Sequence, residues 1–65
     1  MKNFGKRLES ALKKQSMTQH ALATAIGVTD SEVSRYISGE RTPNALNLIR
    51  IAKTLNTTAE ELLGG

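Results

Sequence analysis

Asp30, Ser31, Ser34 and Arg35 place a carboxylate, two hydroxyls and a guanidinium close together in the segment Thr29-Asp30-Ser31-Glu32-Val33-Ser34-Arg35-Tyr36. The set has no partner for catalysis: His20 is the single histidine, there is no cysteine, and no cluster of inward carboxylates accompanies it. A nucleophile without a base, or a zinc site short of its usual three or four ligands (about that many in most sites), does no chemistry. No enzymatic activity, metal, cofactor or small-molecule substrate is expected. What remains to these side chains is recognition through donors and acceptors held at fixed spacing, beside a cation that attracts anions.

The spacing implies a helix that turns them outward. Thr29-Asp30-Ser31-Glu32 is a capping box, with Thr29 capping forward and Glu32 reaching back, and Val28 staples onto Val33. Gly39 supplies the stop, because a C-terminal cap often needs the left-handed conformation. Val33, Tyr36 and Ile37 recur at i, i+3 and i+4 and point inward, leaving Asp30, Ser31, Ser34 and Arg35 on the other side.

The rest of the chain must hold that helix. Phe4, Leu8, Ala11 and Leu12 predict a first helix from about Asn3 to Lys14, with Lys6, Arg7, Lys13 and Lys14 off its apolar stripe. Thr18 caps a second helix, stapled by Met17 and Leu22 and ended by Gly27; its predicted inner face is Ala21, Leu22, Ala25 and Ile26. After the polar link Glu40-Arg41-Thr42-Pro43, Asn44 caps a fourth helix. Its stripe of Leu48, Ile51, Ala52 and Leu55, widened by Ala45 and Ile49, predicts the most buried helix. A second capping box, Thr58-Ala59-Glu60-Glu61, opens a short fifth helix carrying Leu62 and Leu63.

With 65 residues, no cysteine, one Phe and one Tyr, the core is aliphatic, which favours short packed helices over a sheet. The expectation is one compact all-α domain over residues 1–65. Its net charge of +3 and pI near 9.7 are a moderate basic excess that attracts a polyanion. No apolar run approaches the roughly 20 residues of a membrane span, and no signal-peptide core follows Met1-Lys2. A cytoplasmic, nucleoid-associated location is expected.

Only Gly27, Val28 and Thr29 separate the second and third helices, the geometry of a helix-turn-helix. Together with Met17-Thr18-Gln19, Val33-Ser34-Arg35-Tyr36, Ser38-Gly39, Pro43, and Leu48 with Ile51-Ala52 and Leu55, this link resembles the Cro/repressor (lambda-repressor-like, xenobiotic-response-element type) family over essentially the whole chain. The resemblance implies a five-helix domain that binds double-stranded DNA through its third helix in the major groove. It also implies a transcription regulator, a phage-type repressor or Cro-like protein, binding a palindromic operator as a homodimer.

Carried onto these positions, the family pattern makes Asp30, Ser31, Ser34 and Arg35 the base readers. Asp30 suits a cytosine amino group, although an acid is also favoured there by the helix dipole. Ser31 pairs with several base edges. Arg35 suits guanine through a bidentate contact, or a phosphate, and Ser34 reaches bases or backbone according to helix tilt. Gln19 at the start of the second helix matches the family glutamine that holds a phosphate and braces the reading helix; Thr18 lies beside it. Ser38, Arg41, Thr42 and Asn44 fall where the family grips phosphates, and Lys2, Lys6 and Arg7 are further candidates from the first helix. His20 reads as a surface or phosphate-facing residue, and Tyr36 as half-buried packing with its hydroxyl at the surface. Thr57 replaces a common family valine, which predicts a weaker junction to the last helix and weak dimerisation if that helix contributes to the subunit contact. The competing reading is a protein-interaction module on the same scaffold, such as an antitoxin or bridging factor.

Overall fold

Left-handed glycines mark where the chain turns on either side of its third helix. In the computed structural model, which describes residues 3–64, the order is α1 (Phe4–Lys14), α2 (Gln19–Ile26), α3 (Asp30–Ser38), α4 (Ala45–Thr54) and α5 (Ala59–Leu63). Gly27, at φ +77°, lets its own N–H and that of Val28 both donate to the Ala23 carbonyl, at 2.9 and 3.0 Å. Gly39, at φ +88°, closes α3 on the Arg35 carbonyl, which accepts from its N–H at 3.0 Å and from that of Arg41 at 3.2 Å. The all-α, five-helix architecture is as expected.

The helix starts also follow the sequence. Thr18, Thr29, Asn44 and Thr58 each accept a backbone N–H three residues on, from Ala21, Glu32, Asn47 and Glu61. The reciprocal half of each capping box is different. Glu32 turns its carboxylate to Arg41, at 3.8 Å, and Glu61 accepts from the Thr57 hydroxyl at 3.0 Å. Thr57 thus makes a polar side-chain contact at the junction to α5, and its backbone N–H donates to the Ala52 carbonyl at 2.9 Å.

The core is contributed by every helix: Phe4, Leu8 and Leu12; Leu22, Ala23 and Ile26; Val33 and Tyr36; Ile51, Ala52 and Leu55; Leu62. Among the described residues no polar or charged residue other than this tyrosine is buried. α4 is not the most buried helix: it packs chiefly on α2 and α5 and keeps one flank in water. Ile49 and Leu46 stand about half exposed there, at 49% and 55%, and Ala45 is exposed. On α2 the inner alanine is Ala23, while Ala25 faces out. Leu62 is buried and Leu63 is not.

α3 lies between α1 and α2 and packs on both. Its contact with α1 is close because Gly5 brings no side chain to the Ile37 backbone. Tyr36 is fully buried, not half-buried, so α3 is pinned by Val33 and Tyr36 with Ile37 at the margin. Burying a side chain of this size contributes about 1.5–3 kcal/mol, a large share of the stability of so small a domain. Among the described residues no helix is long and apolar enough to cross a membrane.

Candidate nucleic-acid interface

α2 and α3 meet so that the first turn of each opens on the surface around one short link. Thr18 uses its hydroxyl oxygen for Ala21 N–H at 3.0 Å and its carbonyl for Leu22 N–H at 3.1 Å. The N–H groups of Gln19 and His20 have no intrahelical acceptor, as at any helix start, and are available to an anion. The Gln19 side chain is exposed beside them.

Along α3, Asp30, Ser31, Ser34 and Arg35 are all exposed, on the side opposite Val33 and Tyr36. The structure thus brings the four sequence-predicted readers onto one outward rim. Ser38 is committed locally, donating to the Arg35 carbonyl at 3.1 Å and accepting from Glu40 N–H at 3.4 Å. Arg41, Thr42 and Asn44 continue as an exposed border after α3, with the Asn44 side-chain oxygen Oδ1 accepting Asn47 N–H at 2.8 Å.

Lys6 and Arg7 lie elsewhere. They line a groove between α1 and α5, together with Lys14, Asn56 and Glu61. Arg7 Nη1 donates to the Glu61 carbonyl at 3.4 Å, so the guanidinium caps the C-terminal end of α5 instead of standing free. Lys2 falls outside the described residues.

Each carboxylate on α3 and its following turn has a basic neighbour. Asp30 faces His20, whose Nδ1 is 2.9 Å from both carboxylate oxygens. Glu32 faces Arg41, and Glu40 lies 3.9 Å from Arg35 Nε. These pairs offset the negative charge that a phosphate backbone would meet. They also hold Arg35 and Arg41 loosely, since exposed pairs at such distances are weak and readily exchanged. Behind the rim, burial holds the Tyr36 phenol above its ordinary pKa; the Asn47 side chain opposes this, and Glu32 reinforces it.

Sequence reasoning missed the His20–Asp30 pair, the Glu32–Arg41 pair and the place of Gly5. His20 and Asp30 each read as an isolated exposed residue, and only the angle between α2 and α3 brings them together.

The comparisons with known proteins concern this same unit. A family model described as helix-turn-helix matches residues 8–62. The chain is 33% identical over 62 residues to repressor protein C2 of Salmonella phage P22, covering 95% of this chain and 29% of that protein. It is 36% identical over 58 residues to the cryptic phage CTXphi transcriptional repressor RstR of Vibrio cholerae, covering 89% of this chain and 52% of that one. The chain thus spans about half the length, or less, of these curated relatives. Among solved structures it is similar to the solution structure of the DNA-binding domain of the P22 C2 repressor, with TM-score 0.89 at 32% identity, covering 95% of this chain and 82% of that chain. It is also similar to the P22 c2 repressor in complex with a synthetic operator, with TM-score 0.86 at 30% identity, covering 91% and 89%.

Proposed function

From the premise that the chain belongs to the Cro/repressor type of the helix-turn-helix family, we propose that residues 1–65 form a sequence-specific DNA-binding domain of a transcriptional repressor. The observation that carries this reading is the rim of α3. Val33 and Tyr36 fix the helix from behind while Ser31, Ser34 and Arg35 stand in water with donors and acceptors to offer. A helix about 10–12 Å across fits the major groove, where each base pair presents its own donor and acceptor pattern.

In this reading Ser31, Ser34, Arg35 and Asp30 face base edges. Thr18, Gln19, Ser38, Arg41, Thr42 and Asn44 flank them and meet phosphates on either side of the groove. Lys6 and Arg7 add longer-range attraction. Two copies bind as a homodimer to a palindromic operator, with half-sites about one helical turn apart, roughly 10 to 10.5 base pairs. The protein works in the cytoplasm on the nucleoid and carries out no catalysis.

Selection from random double-stranded DNA tests this directly. An enriched two-fold site, bound with a log affinity that falls linearly as the logarithm of salt rises, is the expected result. Failure to retain DNA at low salt, with co-purification of one protein instead, would overturn it in favour of the interaction-module reading.

A further inference from the structure

The three carboxylates of the rim differ in what faces them. Glu32 and Glu40 face guanidiniums, which are charged at every physiological pH, whereas Asp30 faces an imidazole, whose charge depends on pH. His20 Nδ1 is equidistant from Asp30 Oδ1 and Oδ2, at 2.9 Å, so one N–H is shared by the whole carboxylate. Nε2, on the other side of the ring, makes no hydrogen bond among the described residues, and the His20 side chain is 76% exposed.

Among the described residues, no ionisable group other than Asp30 pairs with this ring. α2 carries no other ionisable residue and packs on α3 and α4. Of the charges on those helices, Glu32, Arg35, Arg50 and Lys53 form no ion pair with His20; only Asp30 does. Asp30 opens α3, where the helix dipole favours an anion, while His20 is in the first turn of α2, where the dipole disfavours a cation. Of the two side-chain types, it is an imidazole whose charge changes across the physiological pH range.

Resting on the DNA-binding reading above, we propose that His20 contacts a backbone phosphate and links operator affinity to pH. In both protonation states Nδ1–H can donate to Asp30. Only the imidazolium also has a proton on Nε2, and there it donates to a backbone phosphate. The neutral ring presents a lone pair to the phosphate oxygen and leaves the Asp30 charge uncompensated against the backbone. An incoming phosphate thus favours the protonated ring, and binding takes up about one proton from solvent per protomer.

The test measures affinity for the selected operator at fixed ionic strength from about pH 8.5 to about pH 5.5. It uses the wild type, His20→Gln and His20→Arg, each with its helical spectrum checked. The wild type is expected to tighten by about five- to tenfold per pH unit per protomer through the imidazole range. His20→Gln should be flat, and His20→Arg should stay tight at the alkaline end. Because the chain has one histidine, its ring titration by proton NMR should move to higher pH when operator is added. Equal pH slopes in wild type and His20→Gln, or a ring titration unmoved by DNA, would overturn the linkage while leaving DNA reading intact. Absence of binding by every variant at every pH would overturn the DNA reading itself, and the linkage with it.

Discussion

A methyl group at Gly5 would land on the carbonyl oxygen of Ile37, and neither atom belongs to a flexible side chain. The approach of α1 to α3 is therefore set backbone to backbone. Gly5→Ala must push the helices apart, at a cost of about 1–3 kcal/mol. In a domain of this size that corresponds to a fall in melting temperature of roughly 4–8 °C per kcal/mol. Thermal unfolding followed by circular dichroism checks it, and an unchanged midpoint would show that α3 is free to shift.

The stops of α1 and α4 are made without glycine. Ser16 and Asn56 take left-handed φ of +51° and +54°, and the next N–H in each case, from Met17 and Thr57, returns to the carbonyls of Leu12 and Ala52 at 2.9 Å. Asn tolerates this region better than Ser, so Ser16→Gly should stabilise the fold by up to about 1 kcal/mol and Asn56→Gly by less. The reverse change at a glycine stop, Gly27→Ala, meets no atom but inherits the strain and should cost about 1 kcal/mol. Denaturant midpoints of the three variants order them.

Tyr36 gives the fold an alkaline limit. Its phenol titrates above the ordinary value of 10.0 when folded, chiefly because burial disfavours the phenolate. The folded state thus holds the proton more tightly than the unfolded chain, so this contribution is complete below pH 10 and is lost as pH rises beyond it towards the folded value. Stability should fall more steeply above pH 10 in the wild type than in Tyr36→Phe. With one tyrosine and no tryptophan, the absorbance change of phenolate formation reports this residue alone. A titration midpoint at the ordinary value would contradict the burial of the ring.

Arg35 and Arg41 should fail differently on DNA. Arg35→Ala is expected to cost about 1–3 kcal/mol on the selected operator and to relax preference at one base pair. Arg41→Ala should weaken all sequences alike and reduce the slope of log affinity against log salt by about one. Binding isotherms on matched and mismatched duplexes at several salt concentrations separate the two.

Much of this is legible in the sequence alone, because caps and stops act locally: Thr18, Thr29, Asn44 and Thr58 start helices, and Gly27 and Gly39 end them, through bonds within a few residues. What periodicity could not decide was orientation among near-equivalent faces. Alanines at 21, 23 and 25 on a two-turn helix leave the inner row ambiguous until α3 and α4 are in place, and Ala23 is the one they cover. The apolar Ile49 suggests a broader stripe on α4, but that flank stays about half exposed. The ion pairs of the rim depend on crossing angles, which the spacing of residues along the chain does not encode. For His20 and Asp30, ten positions apart, the Gly27 turn is what creates the neighbourhood.

The division of labour on α3, with anchors Val33 and Tyr36 on one side and polar groups on the other, has an evolutionary corollary. Residues that touch nothing in the interior can be exchanged as a set without retuning the scaffold. On the proposed DNA-reading role of the rim, a lineage built on this frame acquires a new target by rewriting a handful of codons, while the part that must fold stays as it was.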